Sequence, residues 1–336
     1  MSSPILVTVV IPNYNHEAFL KQRIESVLNQ SFQDFELYIL DDCSTDNSLQ
    51  VINNYKSHPK VQGIIKNKKN AGSLFKQWIK AINLAKGKYL WIAESDDFAH
   101  IDFLKETVAL AEQNNNLGFV FTDSYIVNAS GKIIDQASHL NKTLSAFQRL
   151  QNHKIKDRDK VLDYFVSNLI VWNASSVLFV TESITKINFN ILKSLKNAGD
   201  LFSYISIALE KDVFYLDKPL NYFRSHATNT TAKNIASGAL FKDRLIIIQY
   251  FLEDLYSLNP ASTHLKNYLR RSFLTAVDFK LYTNVKSLLR AYLKYNLISF
   301  YAYLNLSIYV CYFKIFKKVP YRYRSYIKKV LQKKIK

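Results

Sequence analysis

Five short, mostly apolar runs, separated by stretches of helical periodicity, constrain the start of this 336-residue chain more than any other feature. Val7-Thr8-Val9-Val10-Ile11 is rich in β-branched residues and ends at Pro12; Leu37-Tyr38-Ile39-Leu40, Val61 to Ile65, Tyr89-Leu90-Trp91-Ile92-Ala93 and Phe119-Val120-Phe121-Thr122 follow. Runs without polar alternation suit strands buried on both faces, the habit of parallel sheets covered by helices. Between them, Glu17 to Leu28 places Phe19, Leu20, Ile24, Val27 and Leu28 at helical spacing. Asp46 is placed to cap a helix carrying Leu49, Val51, Ile52 and Tyr55; Leu74 to Ala85 reads as a helix closed by Gly87, and Asp102 to Gln113 as another. Such alternation predicts an α/β fold with a mostly parallel sheet flanked by helices.

The middle is less regular. Asp159 to Val166 and Leu201 to Leu209 read as helices, Ser175 to Val180 as a strand, and Asp212 to Leu216 as a short strand stopped by Pro219. From Ala236 onward only helical periodicity remains, as in Leu240, Leu245, Ile248 and Leu252. The expected organisation is therefore residues 1–232 as one α/β domain, regular to about 125 and less regular from about 126. A helical region over 233–336 follows.

Composition narrows the classes further. With 48% hydrophobic residues, seven glycines and six prolines, the chain can bury a full core and is not a disordered or low-complexity type. Cys43 and Cys311 are too few for a disulfide framework or a four-cysteine zinc site. Met1-Ser2-Ser3-Pro4 has no basic segment leading an apolar one, so the expected location is the cytoplasm. Net charge is +18, and from Lys314 to Lys336 the basic residues have no acidic residue among them. Before that run, Leu297 to Phe313 is uncharged, with Tyr301, Leu304, Ile308, Tyr312 and Ile315 on one helical face. Two readings stand for this end: a peripheral helix on the anionic inner face of the cell membrane, or a core helix followed by a solvated tail.

In parallel α/β sheets ligands sit beyond the carboxyl ends of the strands. Pro12-Asn13-Tyr14-Asn15, Asp41-Asp42 and Glu94-Ser95-Asp96-Asp97 all fall at such ends. An aspartate pair after a strand also serves as a turn or cap. Carboxylates gathered at one edge repel each other, and a hard divalent cation, Mn2+ or Mg2+, is the simplest partner for them. A cation held there would stabilise a diphosphate leaving group.

These residues carry a resemblance. Pro12-x-Tyr14-Asn15, Ser26-Val27-Leu28-x-Gln30-Ser31, Asp41-Asp42-x-Ser44-x-Asp46, Asn70-x-Gly72, Ala85-x-Gly87 and Trp91-Ile92-Ala93-Glu94-Ser95-Asp96-Asp97 stand in the order of a family 2 glycosyltransferase. More weakly, the likeness runs through Asn173-Ala174-Ser175-Ser176 and Ala198-Gly199-Asp200 to Pro219-Leu220-x-Tyr222-x-Arg224-x-His226, covering roughly residues 5–230. The resemblance implies a GT-A type, Rossmann-like fold and inverting transfer of a hexosyl group from a nucleotide sugar, UDP-linked in the main expectation. The acceptor would be a saccharide or lipid-linked glycan of cell-surface polysaccharide or lipopolysaccharide synthesis. It also implies roles: Pro12, Tyr14, Asn15 and Asp42 around the base, Glu94 and Asp96 toward the ribose, Asp97 on the metal, and Asp200 as general base. Cys43 replaces a glycine common in that turn, Glu94 stands where aspartate is frequent, and Gly199 replaces the usual glutamate before the base.

Asp200 also suits a helix N-terminus, since Leu201 opens an apolar-periodic segment. Arg224 has the chemistry for the diphosphate, and His226 for the diphosphate or the metal. Trp172 and Asn173 are candidates for sugar or acceptor contact, whereas Trp78 and Trp91 read as core. A nucleic-acid binder working through the basic tail lacks a recognition module. A non-catalytic nucleotide-sugar sensor would have no use for Asp97 and Asp200 together. A dinucleotide oxidoreductase would need Gly-x-Gly-x-x-Gly after the first strand, which is absent.

Overall fold

A computed structural model describes residues 5–141, 143–144, 153–161, 164–165, 168–225 and 239–258, with short helical pieces at 289–290, 293–294, 303–304 and 306–307. The chain divides into two compact units, Met1–Asn229 and Thr230–Lys336.

Among the described residues the first unit has ten strands: β1 (Val7–Asn13), β2 (Phe35–Asp41), β3 (Val61–Lys66), β4 (Tyr89–Ile92), β5 (Phe98–Ala99), β6 (Leu117–Val127), β7 (Ile133–Gln136), β8 (His153–Ile155), β9 (Val177–Val180) and β10 (Asp212–Arg224). Among the described residues they are accompanied by the α-helices α1 (Glu17–Leu28), α2 (Ser48–Asn53), α3 (Leu74–Leu84), α4 (Phe103–Glu112), α5 (Ala137–Leu140), α6 (Thr181–Thr185), α7 (Phe189–Ser194) and α8 (Gly199–Ala208). The sheet order is β3-β2-β1-β4-β9-β6-β10-β5, with β7 beside β6 and β8 beside β10. Its longest ladders, β1–β2 and β6–β10, are parallel, while β9 runs antiparallel between β4 and β6. The α/β class with a mostly parallel sheet is the one the strand and helix periods predict.

Both faces of the sheet are covered. On one, Val7, Val9, Ile11, Leu37, Ile39 and Trp91 pack with Leu20, Ile24 and Val27 of α1 and Phe103, Leu104 and Val108 of α4. On the other, Trp78 of α3 meets Phe179 edge-on at 6.0 Å, and Phe179 stacks on Tyr204 of α8 at 6.2 Å. Each fully buried aliphatic or aromatic side chain contributes about 1.5–3 kcal/mol, so these two layers hold the strand ends in fixed register.

Three local expectations change. Pro219 does not stop its strand: β10 runs on to Arg224, with register shifts against β6 on both sides of Pro219. A bulge is where a residue lacking an N–H is tolerated, and the sequence hides this because periodicity breaks there. Gly87 lies beyond α3 for a different reason from helix closure: an ideal Cβ there would sit 2.7 Å from the Thr8 backbone nitrogen, so glycine permits close approach to β1. Ahead of β9, Ala174–Ser176 forms a single 3-10 turn rather than strand. Asp46 is not the cap of α2, a position held by Asn47, but its carboxylate accepts from Ser48 N of α2 at 3.0 Å and from Glu17 N of α1 at 2.9 Å, tying two helix starts together.

In the second unit, α9 (Ala239–Leu258) buries Leu245, Ile248 and Leu252 at the expected helical spacing. Leu304, placed by the sequence on the lipid-facing stripe, is 43% exposed, and Leu306 is buried. Tyr301, Ile308, Tyr312, Ile315 and the basic run from Lys314 lie outside the described residues. Among the described residues no helix is long and apolar enough to cross a membrane.

Candidate active site

Parallel pairing of β1 with β2 and β4 brings three polar strand ends to one edge. Asn13 is buried and donates to Asp41 Oδ1 at 3.0 Å and Ser44 Oγ at 3.1 Å, while Asp42 N donates to Asn13 O at 2.8 Å. These bonds lock the turn after β2 against the turn after β1. Asn15 adopts φ +55°, a conformation that asparagine tolerates better than most residues, and its Oδ1 accepts from Thr45 N at 2.7 Å. Tyr14 projects from this frame at 44% exposure, available to a flat ligand. Pro12 does not: it is buried inside β1 opposite Leu40, so it shapes the strand end instead of presenting a surface. Asp42 is buried and its carboxylate accepts from Asn67 Nδ2 and from Ala71 N at 2.9 Å. Asn67 in turn accepts from Lys80 Nζ.

The acidic turn follows β4. Glu94, Asp96 and Asp97 each offer a carboxylate oxygen within 4.8 Å of the others. Burial pushes the Glu94 acid well above the usual carboxylate range, and the charges of Asp96, Asp97 and Asp200 push the same way. Asp97 is pushed up to about 6, by burial first and then by Asp96, against the pull of Arg23 and its hydrogen bonds. Asp97 Oδ2 accepts from Asn173 Nδ2 at 2.8 Å and Ser175 Oγ at 2.9 Å, and Oδ1 from Arg224 N at 2.9 Å. Asp97 is 1% exposed, whereas Glu94 and Asp96 are half-buried at the rim. Three hard oxygen donors under mutual repulsion suit a divalent cation.

Asp200 lies in the first turn of α8 but is not its cap; that position is Ala198, and Asp200 Oδ1 accepts from Leu201 N at 2.8 Å. Its charge reaches both Glu94 and Tyr204, so the fold brings it to the acidic turn across 100 residues of chain or more. Gly199 has a packing reason: an ideal Cβ would lie 2.5 Å from Phe75 Cγ. A glutamate at position 199, which the resemblance implies, would meet the Phe75 ring of α3.

Arg224 differs from expectation. It is 2% exposed, and its guanidinium donates inward to Asp96 O at 2.7 Å, Ala129 O at 2.8 Å and Gln22 Oε1 at 2.6 Å, between the rings of Phe19 and Phe98. It braces the acidic turn and does not offer these donors to a diphosphate. Asn173 is likewise turned inward, caps the 3-10 turn through Ser175 N and holds Asp97. Trp172 is half-buried beside it, and His226 lies outside the described residues. Trp78 and Trp91 are core, as their patterning predicts. The sequence alone assigns no role to Arg23, Ser175 or Asn67. Arg23 had a signal: it falls on the buried stripe of α1 with Leu20, Ile24 and Val27, where a charge is out of place.

A parallel-centred α/β sheet with acids at its carboxyl edge is the arrangement of a GT-A fold. Residues 8–167 match the model of Glycosyl transferase family 2, and this part of the chain is a family 2 glycosyltransferase domain. The chain is 26% identical over 231 residues to the chondroitin synthase of Escherichia coli, a match spanning 68% of this chain and 30% of that protein. Its structure resembles S. aureus TarS 1–349 in complex with UDP, with TM-score 0.61 and 19% identity over 85% of this chain and 80% of that one. It also resembles a mannosyltransferase from Pyrobaculum calidifontis in complex with GDP-Man and Mn2+, with TM-score 0.51 and 13% identity over 98% of this chain and 86% of that one.

Proposed function

We propose that this chain transfers a hexosyl group from a nucleotide diphosphate sugar, a UDP-sugar in the first instance, to an acceptor hydroxyl with inversion. The acceptor is a saccharide or lipid-linked glycan of a cell-surface polysaccharide, a reading supported by the likeness to chondroitin synthase. The observation that carries it is the cluster of Glu94, Asp96 and Asp97 within 4.8 Å at the sheet edge, with the charge of Asp200 felt at Glu94.

Tyr14 lies open to stack on the base, and Asp42, oriented by Asn67 and Ala71, faces its hydrogen-bonding edge. Glu94 and Asp96, at the rim, take the leading share of ribose and metal contact. Asp97 stands behind them, held by three donors, and adds the third carboxylate of the cluster. A bound Mn2+ or Mg2+ would neutralise the departing diphosphate. Asp200 accepts the proton of the acceptor hydroxyl, and attack opposite the leaving group inverts the anomeric centre.

A screen of nucleotide sugars for manganese-dependent hydrolysis and thermal stabilisation tests donor and metal together. The Asp200→Asn variant is expected to bind donor as the parent does and to lose transfer by about 10²–10⁴-fold. Near-normal turnover on the true acceptor would remove Asp200 from the role of base.

A further inference from the structure

Arg23 is the most anomalous charge in the first unit. Its side chain is 0% exposed, on the α1 stripe that packs against the sheet. Nε donates to Glu94 O at 2.7 Å, and the guanidinium carbon lies 5.7 Å from the centre of the Trp91 ring. Nη1 and Nη2 have no hydrogen-bond partner, and Nη2 stands 3.9 Å from Asp97 Oδ2. A buried guanidinium with two idle amino groups is costly unless a charge nearby compensates it. The compensating charges are those of Asp97, Asp96 and Glu94, which oppose the burial that lowers the Arg23 pKa to about 10. Arg224 is the second cation at this turn, but its donors are committed to Asp96 O, Ala129 O and Gln22.

We propose that Arg23 is the resident counter-ion of the acidic turn: a positioning residue that keeps Glu94, Asp96 and Asp97 gathered before a divalent cation arrives and limits how tightly that cation is held. Being fully buried, it acts on the ligand only through the carboxylates and the Glu94 carbonyl. The turn can then keep its shape between turnovers, and the cation can leave with the diphosphate. The inference rests on the metal reading of the same turn.

The test compares the full-length parent with Arg23→Met, similar in length and uncharged, and with Arg23→Lys, which keeps the charge. Thermal midpoints are measured with and without Mn2+, and Mn2+ binding is followed by electron paramagnetic resonance in the absence of donor. Arg23→Met should melt lower than the parent without metal, gain more from Mn2+, and bind Mn2+ at least about tenfold more tightly, as loss of one nearby like charge requires. Arg23→Lys should keep the parent's metal response. If Arg23→Met folds only when Mn2+ is supplied, that too supports the proposal. A lower midpoint with an unchanged metal response would reduce Arg23 to a packing residue, and failure to fold even with Mn2+ would do the same. A parent and variants all indifferent to Mn2+ would instead overturn the metal reading itself.

Discussion

At Cys43 the backbone takes φ +62°, in the left-handed region where a Cβ is strained and glycine is not. The strain relief from Cys43→Gly exceeds the added chain entropy of glycine, so a gain of about 0.5–1 kcal/mol is expected, read as a higher urea midpoint. Asp97 gives a pH signature in the metal-free protein. Its folded pKa of about 6 lies above the ordinary 3.8, so the folded state holds the proton more tightly. That contribution is fully present below the unfolded value and is lost as pH rises through about 6. The stability of the parent relative to Asp97→Asn should therefore fall across this window; a flat difference would contradict the burial of an ionising Asp97. Asp96→Asn, at the rim, should leave folding unchanged and weaken manganese-dependent donor binding. The acids themselves were legible from sequence, because they follow apolar runs. Which carboxylate is at the rim and which is bound from behind was not, since Asn173, Ser175 and Arg224 lie 76 to 127 residues further along the chain.

At the level of elements, α3 and α8 meet where Phe75 fills the space that a side chain at position 199 would need. Gly199→Ala is expected to cost about 1–3 kcal/mol by overpacking, and Phe75→Leu in the same chain should recover part of the loss. A double-mutant cycle by chemical unfolding checks this; strictly additive effects would show that the ring and the glycine are independent. Sequence alone registered Gly199 as a departure from a pattern and had no reason for it, because the occupant of the space belongs to another helix. Similarly the sequence predicts that this strand stops at Pro219, since the bulge that admits proline exists only once β6 is alongside.

For the whole molecule, the basic run from Lys314 onward is the feature most open to experiment. Deletion after Ile315 is expected to reduce binding to anionic vesicles and to leave donor hydrolysis intact, with equal vesicle binding by both forms arguing for a solvated tail. By itself the sequence determined the α/β class, most element boundaries and the polar strand ends, because hydrophobic period and turn chemistry act over a few residues. The antiparallel insertion of β9, the inward commitment of Arg224 and Asn173, and the burial of Arg23 against the acidic turn were decided only by tertiary structure. Each depends on desolvation and on partners distant in the chain, and local pattern carries neither.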